Sequence, residues 1–252
     1  MLVKYQIEEK EKSNMSSDNG RTSSYTKFYI IFQIIGLTLI FYVYNWIVQY
    51  RGGFSVTEPK IIFNWHPLLM TIAFIYLFAN SILHYRTFQN NTKQKLKKQH
   101  AFIHCCILIL IVVAVFAAFV SHQYATPPIP NLYSLHSWLG VVTITMFLSQ
   151  LIIGFWCFLY PGVATRHRAT LAPYHVFFGI AIFILAVATA VLGVCEKIIF
   201  SLDKQYKLLP TEGVLGNILG ILCVFYCLLV VYMVTKPEFK RNPRQEYENL
   251  LK

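Results

Sequence analysis

Six apolar runs dominate the chain, at residues 27–49, 63–86, 99–121, 133–159, 172–197 and 212–235, with short polar stretches between them. Each exceeds the ~20 residues that a helix needs to cross the hydrocarbon core of a bilayer. The pattern predicts an all-α membrane protein with six transmembrane helices in essentially one domain, residues 27–235. Residues 1–26 are polar, as in "EEKEKSNMSSDNGRTSS", and lack the apolar core of a cleavable signal peptide. They are expected to be a disordered cytosolic tail, with the first helix as an uncleaved anchor. Residues 236–252 form a second polar tail.

Composition agrees with this class: 56% of residues are hydrophobic and only 13% charged, with a mean hydropathy of +0.51. The formal charge of +11 does not mark a nucleic-acid binder, because the basic residues are spread among short loops and do not line one face. They report orientation instead. Arg86, Lys93, Lys95, Lys97, Lys98, Arg166, Arg168, Lys236, Lys240, Arg241 and Arg244 lie on one side; Arg51, Lys60, Lys197, Lys204 and Lys207 lie on the other. Eleven against five places both termini, the 87–98 loop and the 160–171 loop in the cytosol. The sequons at Asn14 and Asn90 then face the cytosol and stay unglycosylated. All six cysteines fall inside the apolar runs, where they read as small apolar residues, and no CxxCH is present for covalent haem attachment.

Histidine carries the chemistry. His66 in "FNWHP" and His136 in "LYSLHSWLG" begin the second and fourth runs on the non-cytosolic side, whereas His100 in "KKQHAFIH" and His175 in "APYHVFFG" begin the third and fifth on the cytosolic side. Two imidazoles facing each other across an apolar bundle at each of two depths is the arrangement a six-coordinate b-type haem requires. The four spans that carry them, the second to the fifth, would form a core four-helix bundle. A zinc site would need three or four ligands at one depth, and the only acidic residues in the runs, Glu196 and Glu212, sit at their ends. A span of about 23 residues is roughly 35 Å long, so ligands a turn inside each end would hold two irons on the order of 20–25 Å apart. His104, one turn after His100, and His84, on the inner face of the second span, are rival ligands that spacing does not separate from His100. His167 lies in a loop and is expected to be solvated. Trp65 and Trp138 lie near the bundle interior, where aromatic residues are more often packing than electron relays. The rival from another class is a multispan transporter whose histidines relay protons.

"RGGF", "FNWHPLLM", "KKQHAFIH", "LYSLHSWLG", "APYHVFFG" and "EGVLGN" together resemble the cytochrome b561 family over about residues 27–240. The resemblance implies a six-helix membrane oxidoreductase with two haem b groups, which oxidises cytosolic ascorbate and delivers the electron across the bilayer. The acceptor would be ferric iron, as in an ascorbate ferrireductase, or monodehydroascorbate in an ascorbate-regenerating vesicle. It implies His66 with His136 as axial ligands of the non-cytosolic haem and His100 with His175 for the cytosolic one, favouring His100 over His104. Lys93, Lys97 and Arg168 would hold ascorbate, a monoanion that cations attract and orient. Arg86 would join this cationic rim beside the cofactor, and His122 and Tyr133 would be acceptor-side residues. "RGGF", "FNWHP" and "LYSLHSWLG" look closer to the ferric-reducing and lysosomal branches. An acidic dileucine arrangement, Glu246 ahead of Leu250 and Leu251, points the same way, to a late endosomal, lysosomal or other vesicle membrane. Homodimerisation is implied only by the resemblance.

Overall fold

The computed structural model describes the backbone of residues 2–241 and the side chains of residues 23–241. Glu246, Leu250 and Leu251 lie outside the described residues. The first helix, α1, runs Leu2–Tyr50, and its portion long and apolar enough to cross a membrane is Ser23–Tyr50. Five more such spans follow: α2 Pro59–Thr87, α3 Lys93–Gln123, α4 Leu135–Leu159, α5 Thr165–Leu208 and α6 Thr211–Thr235. The six expected spans are therefore present. No strand occurs among the described residues.

Several spans outrun their apolar cores. Helix α3 starts at Lys93, where the Thr92 side chain caps it by accepting a hydrogen bond from the Lys95 amide. Helix α5 starts at Thr165, so Arg166, His167 and Arg168 stand in its first turn and not in a loop. His167 remains exposed there. Polarity ends an apolar run at the membrane surface, but a helix whose backbone bonds continue need not stop there. Ser134 and Ser137 form a reciprocal capping box that fixes the start of α4, two residues ahead of His136.

The break after α1 also has a local cause. Gly52 and Gly53 adopt positive φ of 80° and 75°, a backbone that favours glycine. The Asn64 amide donates to the Arg51 and Gly53 carbonyls at 2.9 and 2.7 Å, and the Trp65 indole donates to the Ser55 carbonyl at 3.0 Å. "RGGF" and "FNWHP" are thus one structural unit that sets the entry of α2, directly ahead of His66. Helix α2 itself is composite, with a wider π-helical stretch at Thr71–Leu77.

Helices α2 and α3 pack together, α4 lies along α5, and α5 also contacts α2; α1 and α6 pack on each other and cover α2 and α5. Buried Phe74, Phe78, Phe147 and Phe183 fill the interior halfway along these spans. Phe102, Phe116, Trp138, Trp156 and Phe225 are exposed on the outer surface, which is where a lipid-facing bundle places large apolar side chains. Trp138 therefore stands outside the bundle interior. The turn after α1 is anchored to α6 by the buried Glu212, which pairs with Arg51 and accepts a 2.9 Å hydrogen bond from the Trp46 indole.

Candidate functional site

Two pairs of histidines face each other at the two ends of the α2–α5 bundle. At the end next to the α1–α2 turn, the rings of His66 on α2 and His136 on α4 have centres 6.1 Å apart and planes at 86°. At the opposite end, His100 on α3 and His175 on α5 have centres 6.3 Å apart and planes at 67°. Two imidazoles bound to one metal ion through opposed bonds of about 2.0–2.1 Å, each nitrogen about 1.15 Å from its ring centre, would have centres about 6.3–6.5 Å apart. Both observed separations are close to that value.

Hydrogen bonding sets which nitrogen is free. His66 Nδ1 lies 3.1 Å from the Ala114 carbonyl and His136 Nδ1 lies 2.9 Å from the Thr189 carbonyl. A carbonyl only accepts, so each Nδ1 carries the proton and each Nε2 keeps its lone pair for a metal. His100 Nδ1 is held in the same way by the Ser81 carbonyl at 3.1 Å. His175 Nδ1 is buried and has no hydrogen-bond partner.

Glycine makes the close approach of these rings to their neighbours available. His136 on α4 rests on Gly193 of α5, where a Cβ would stand 2.7 Å from its Cε1. His175 on α5 rests on Gly154 of α4, where a Cβ would stand 2.9 Å from its Cε1. The two adjacent helices thus exchange a histidine for a glycine at each end. Among the described residues no three or more His, Cys, Asp or Glu side chains gather to hold a metal ion. The donor set is two neutral nitrogens per layer in a dry aromatic interior, which fits an axially ligated haem and does not fit closed four-ligand zinc.

The rival histidines sit in different surroundings. His84 Nε2 is 3.1 Å from the Gln99 side-chain oxygen, beside a surface groove lined by Lys98 and Phe102. His104 is buried against Phe78 and Phe147, and its Nε2 is 2.9 Å from the Ser81 hydroxyl.

Because α3 begins at Lys93, the residues Lys93, Lys97, His100 and His104 stand on one face of one helix, at spacings of four, three and four. The Lys97 ammonium donates to the Phe158 carbonyl at 3.2 Å, and the Phe158 ring packs 5.1 Å from His175. Lys93 and Arg168 lie near enough for their charges to act on Lys97. A cationic cluster thus sits one side chain away from the His100–His175 pair. Arg86 is placed differently from the expected rim: its guanidinium donates to the Val234 and Lys236 carbonyls and closes the end of α6.

At the other end, Phe63 stacks on His66 at 5.7 Å and on His122 at 6.5 Å, and the Lys197 ammonium stands 4.4 Å from the Phe63 ring centre. His122 Nδ1 is 2.9 Å from the Asn131 side-chain oxygen. Tyr133, half exposed, stacks on Phe200 at 6.4 Å. Partial burial, followed by the nearby Glu196 carboxylate, raises its phenol pKa. Lys197, Phe63, Ser81, Gly154 and Gly193 were not singled out by the sequence.

The family model for eukaryotic cytochrome b561 matches residues 65–201, which runs from α2 into α5 and includes all four paired histidines. The chain is 39% identical over 240 residues to the transmembrane ascorbate-dependent reductase CYB561 of Sus scrofa, covering 94% of both chains. It is 39% identical over 212 residues to the lysosomal membrane ascorbate-dependent ferrireductase CYB561A3 of Bos taurus, covering 82% of this chain and 79% of that one. Against the CYB561A3 protein of Homo sapiens it is 38% identical over 224 residues, covering 85% and 91%. By the family model and by these relatives across most of its length, the chain belongs to the eukaryotic cytochrome b561 family.

Proposed function

We propose that this protein holds two b-type haems and carries electrons one at a time from cytosolic ascorbate to ferric iron on the opposite side of the membrane. The observation that carries the reading is the pair of opposed imidazoles at each end of one bundle. His66 and His136 would hold the non-cytosolic haem, and His100 and His175 the cytosolic one. Haem iron, when bound, alternates between ferric and ferrous states and so supplies the one-electron chemistry that the side chains lack.

The chain's own residues do the rest. Carbonyl acceptors lock three of the four imidazoles in one tautomer, and glycines let two of them seat closely. Phe74, Phe78, Phe147 and Phe183 exclude water between the layers. Lys93, Lys97 and Arg168 attract the ascorbate monoanion and hold it beside His175. On the opposite face, Lys197 presents a cation to an anionic acceptor, and His122 and Tyr133 supply polar contacts at the same mouth. The acceptor preference follows relatives named as lysosomal ferrireductases, and a vesicle membrane with both termini cytosolic fits the distribution of basic loops.

Monodehydroascorbate is the second reading, since Lys197 suits any small anion. The test is reoxidation of the reduced protein by a ferric chelate and by the ascorbyl radical. Faster reoxidation by the chelate supports the ferrireductase reading, and faster reoxidation by the radical replaces it. A histidine proton relay is disfavoured because a relay needs both ring nitrogens free to exchange protons, whereas a carbonyl that holds Nδ1–H cannot return one.

A further inference from the structure

Ser81 is fully buried on α2, yet its hydroxyl lies within hydrogen-bond distance of two histidines. The oxygen is 2.8 Å from His100 Nδ1 and 2.9 Å from His104 Nε2, and the backbone carbonyl of the same residue is 3.1 Å from His100 Nδ1. One residue therefore presents two oxygens to one ring nitrogen and bridges it to a second imidazole.

The proton positions follow from what each atom can do. The Ser81 carbonyl only accepts, so His100 Nδ1 carries its hydrogen and shares it between the carbonyl and the hydroxyl oxygen. The hydroxyl hydrogen is then free to point elsewhere, and the acceptor within reach is His104 Nε2. His104 is thereby set in the tautomer with its hydrogen on Nδ1, an atom that is buried without a partner. Leaving that donor unmet in a dry interior costs free energy, so the arrangement is held by its surroundings.

We propose that Ser81 and His104 form a relay that tunes the His100 imidazole and thereby lowers the reduction potential of the group it ligates. A hydroxyl that donates to His104 has a more negative oxygen and is a better acceptor for His100 Nδ1–H. Stronger acceptance leaves more electron density on the ring, and a richer ligand stabilises the ferric over the ferrous state. The opposite ligand, His175, has no such acceptor, and His66 and His136 have one carbonyl each. The tuning is thus specific to one of the four imidazoles. Ser81 and His104 are positioning residues and touch no substrate.

The inference rests on His100 being an axial ligand, and the experiment tests the two separately. Haem content is measured first, in Ser81→Ala, His104→Leu, His104→Gln and the double variant Ser81→Ala/His104→Leu, each as purified full-length protein. Two haems per chain in all four keep the ligand reading; the midpoint potentials are then titrated spectroscopically. Ser81→Ala is expected to shift the ferric–ferrous equilibrium of the cytosolic haem about 3- to 10-fold toward ferrous, an upward shift of about 30–60 mV at 59 mV per tenfold. The other haem stays unchanged. His104→Leu shifts it the same way by less. The double variant matches Ser81→Ala alone, because His104 acts through the hydroxyl. His104→Gln, whose amide oxygen can accept from the hydroxyl, restores most of the wild-type potential. An unchanged potential in Ser81→Ala, equal shifts in both haems, or additive effects in the double variant would overturn the relay. Loss of the cytosolic haem in His100→Ala, run alongside, is the separate check on the ligand.

Discussion

Replacing Gly193 by alanine should empty one haem site and leave the other filled. The added Cβ would stand 2.7 Å from His136 Cε1 and 2.9 Å from its Nδ1, whereas ordinary contact begins at 3.4 Å, so the ring must retreat by 0.7 Å. A metal–ligand bond tolerates about 0.2 Å, and the retreat also disturbs the 2.9 Å hydrogen bond from His136 Nδ1 to the Thr189 carbonyl. Overpacking costs about 1–3 kcal/mol and the hydrogen bond about 0.5–1.5 kcal/mol. Together these weaken binding at that site by about 10- to 1,000-fold. Alanine is the better helix former by about 1 kcal/mol, so α5 itself should not suffer. Gly154→Ala is the mirror experiment: its Cβ falls 2.9 Å from His175 Cε1, and His175 Nδ1 has no hydrogen bond to lose, so the effect on the His100–His175 site should be smaller. Gly220→Ala, with no atom within 4 Å of its Cβ, is the control. The assay is haem per protein with the absorption spectrum of each reduced centre. Two haems with wild-type spectra in Gly193→Ala would refute the reasoning.

Lys97→Gln should raise the KM for ascorbate about tenfold or more while leaving kcat near wild type, because a charged contact made equally to bound substrate and transition state is lost; the defect should shrink as salt rises. Lys197→Gln should slow reoxidation by an anionic ferric chelate about 3- to 10-fold and leave a cationic oxidant unaffected; equal slowing of both would remove the docking role. Glu212→Gln leaves the Arg51 cation without its carboxylate in a site where the two side chains are 19% and 8% exposed. It should cost about 3 kcal/mol, read as a lower unfolding temperature with haem content unchanged in the cold.

The six spans and the two histidine layers were legible because lipid imposes a minimum length and because a titratable ring in an apolar run has few structural uses. Where the sequence was less informative, the reason is physical. Counting Lys93 and Lys97 as loop charges hid that they continue the His100 helix, since α3 keeps its backbone bonds for six residues beyond its apolar core. The spacing of four, three and four from Lys93 to His104 was the available signal. Gly193, Gly154 and Ser81 carry no such signal, because only a partner helix makes a missing Cβ or a buried hydroxyl matter. Arg86 was assigned by charge alone, and its bonds to the α6 carbonyls show how readily a helix terminus claims a nearby cation.

The central claim is that one bundle links donor and acceptor across the bilayer, and sealed vesicles test it most directly. Wild-type protein, His66→Ala and His100→Ala are each reconstituted with ascorbate on the cytosolic face and a membrane-impermeant ferric chelate on the other. The account predicts chelate reduction by wild type, loss of one haem in each variant, and transfer abolished in both. A wild-type protein without haem, or transfer at the wild-type rate after loss of either histidine, would contradict it.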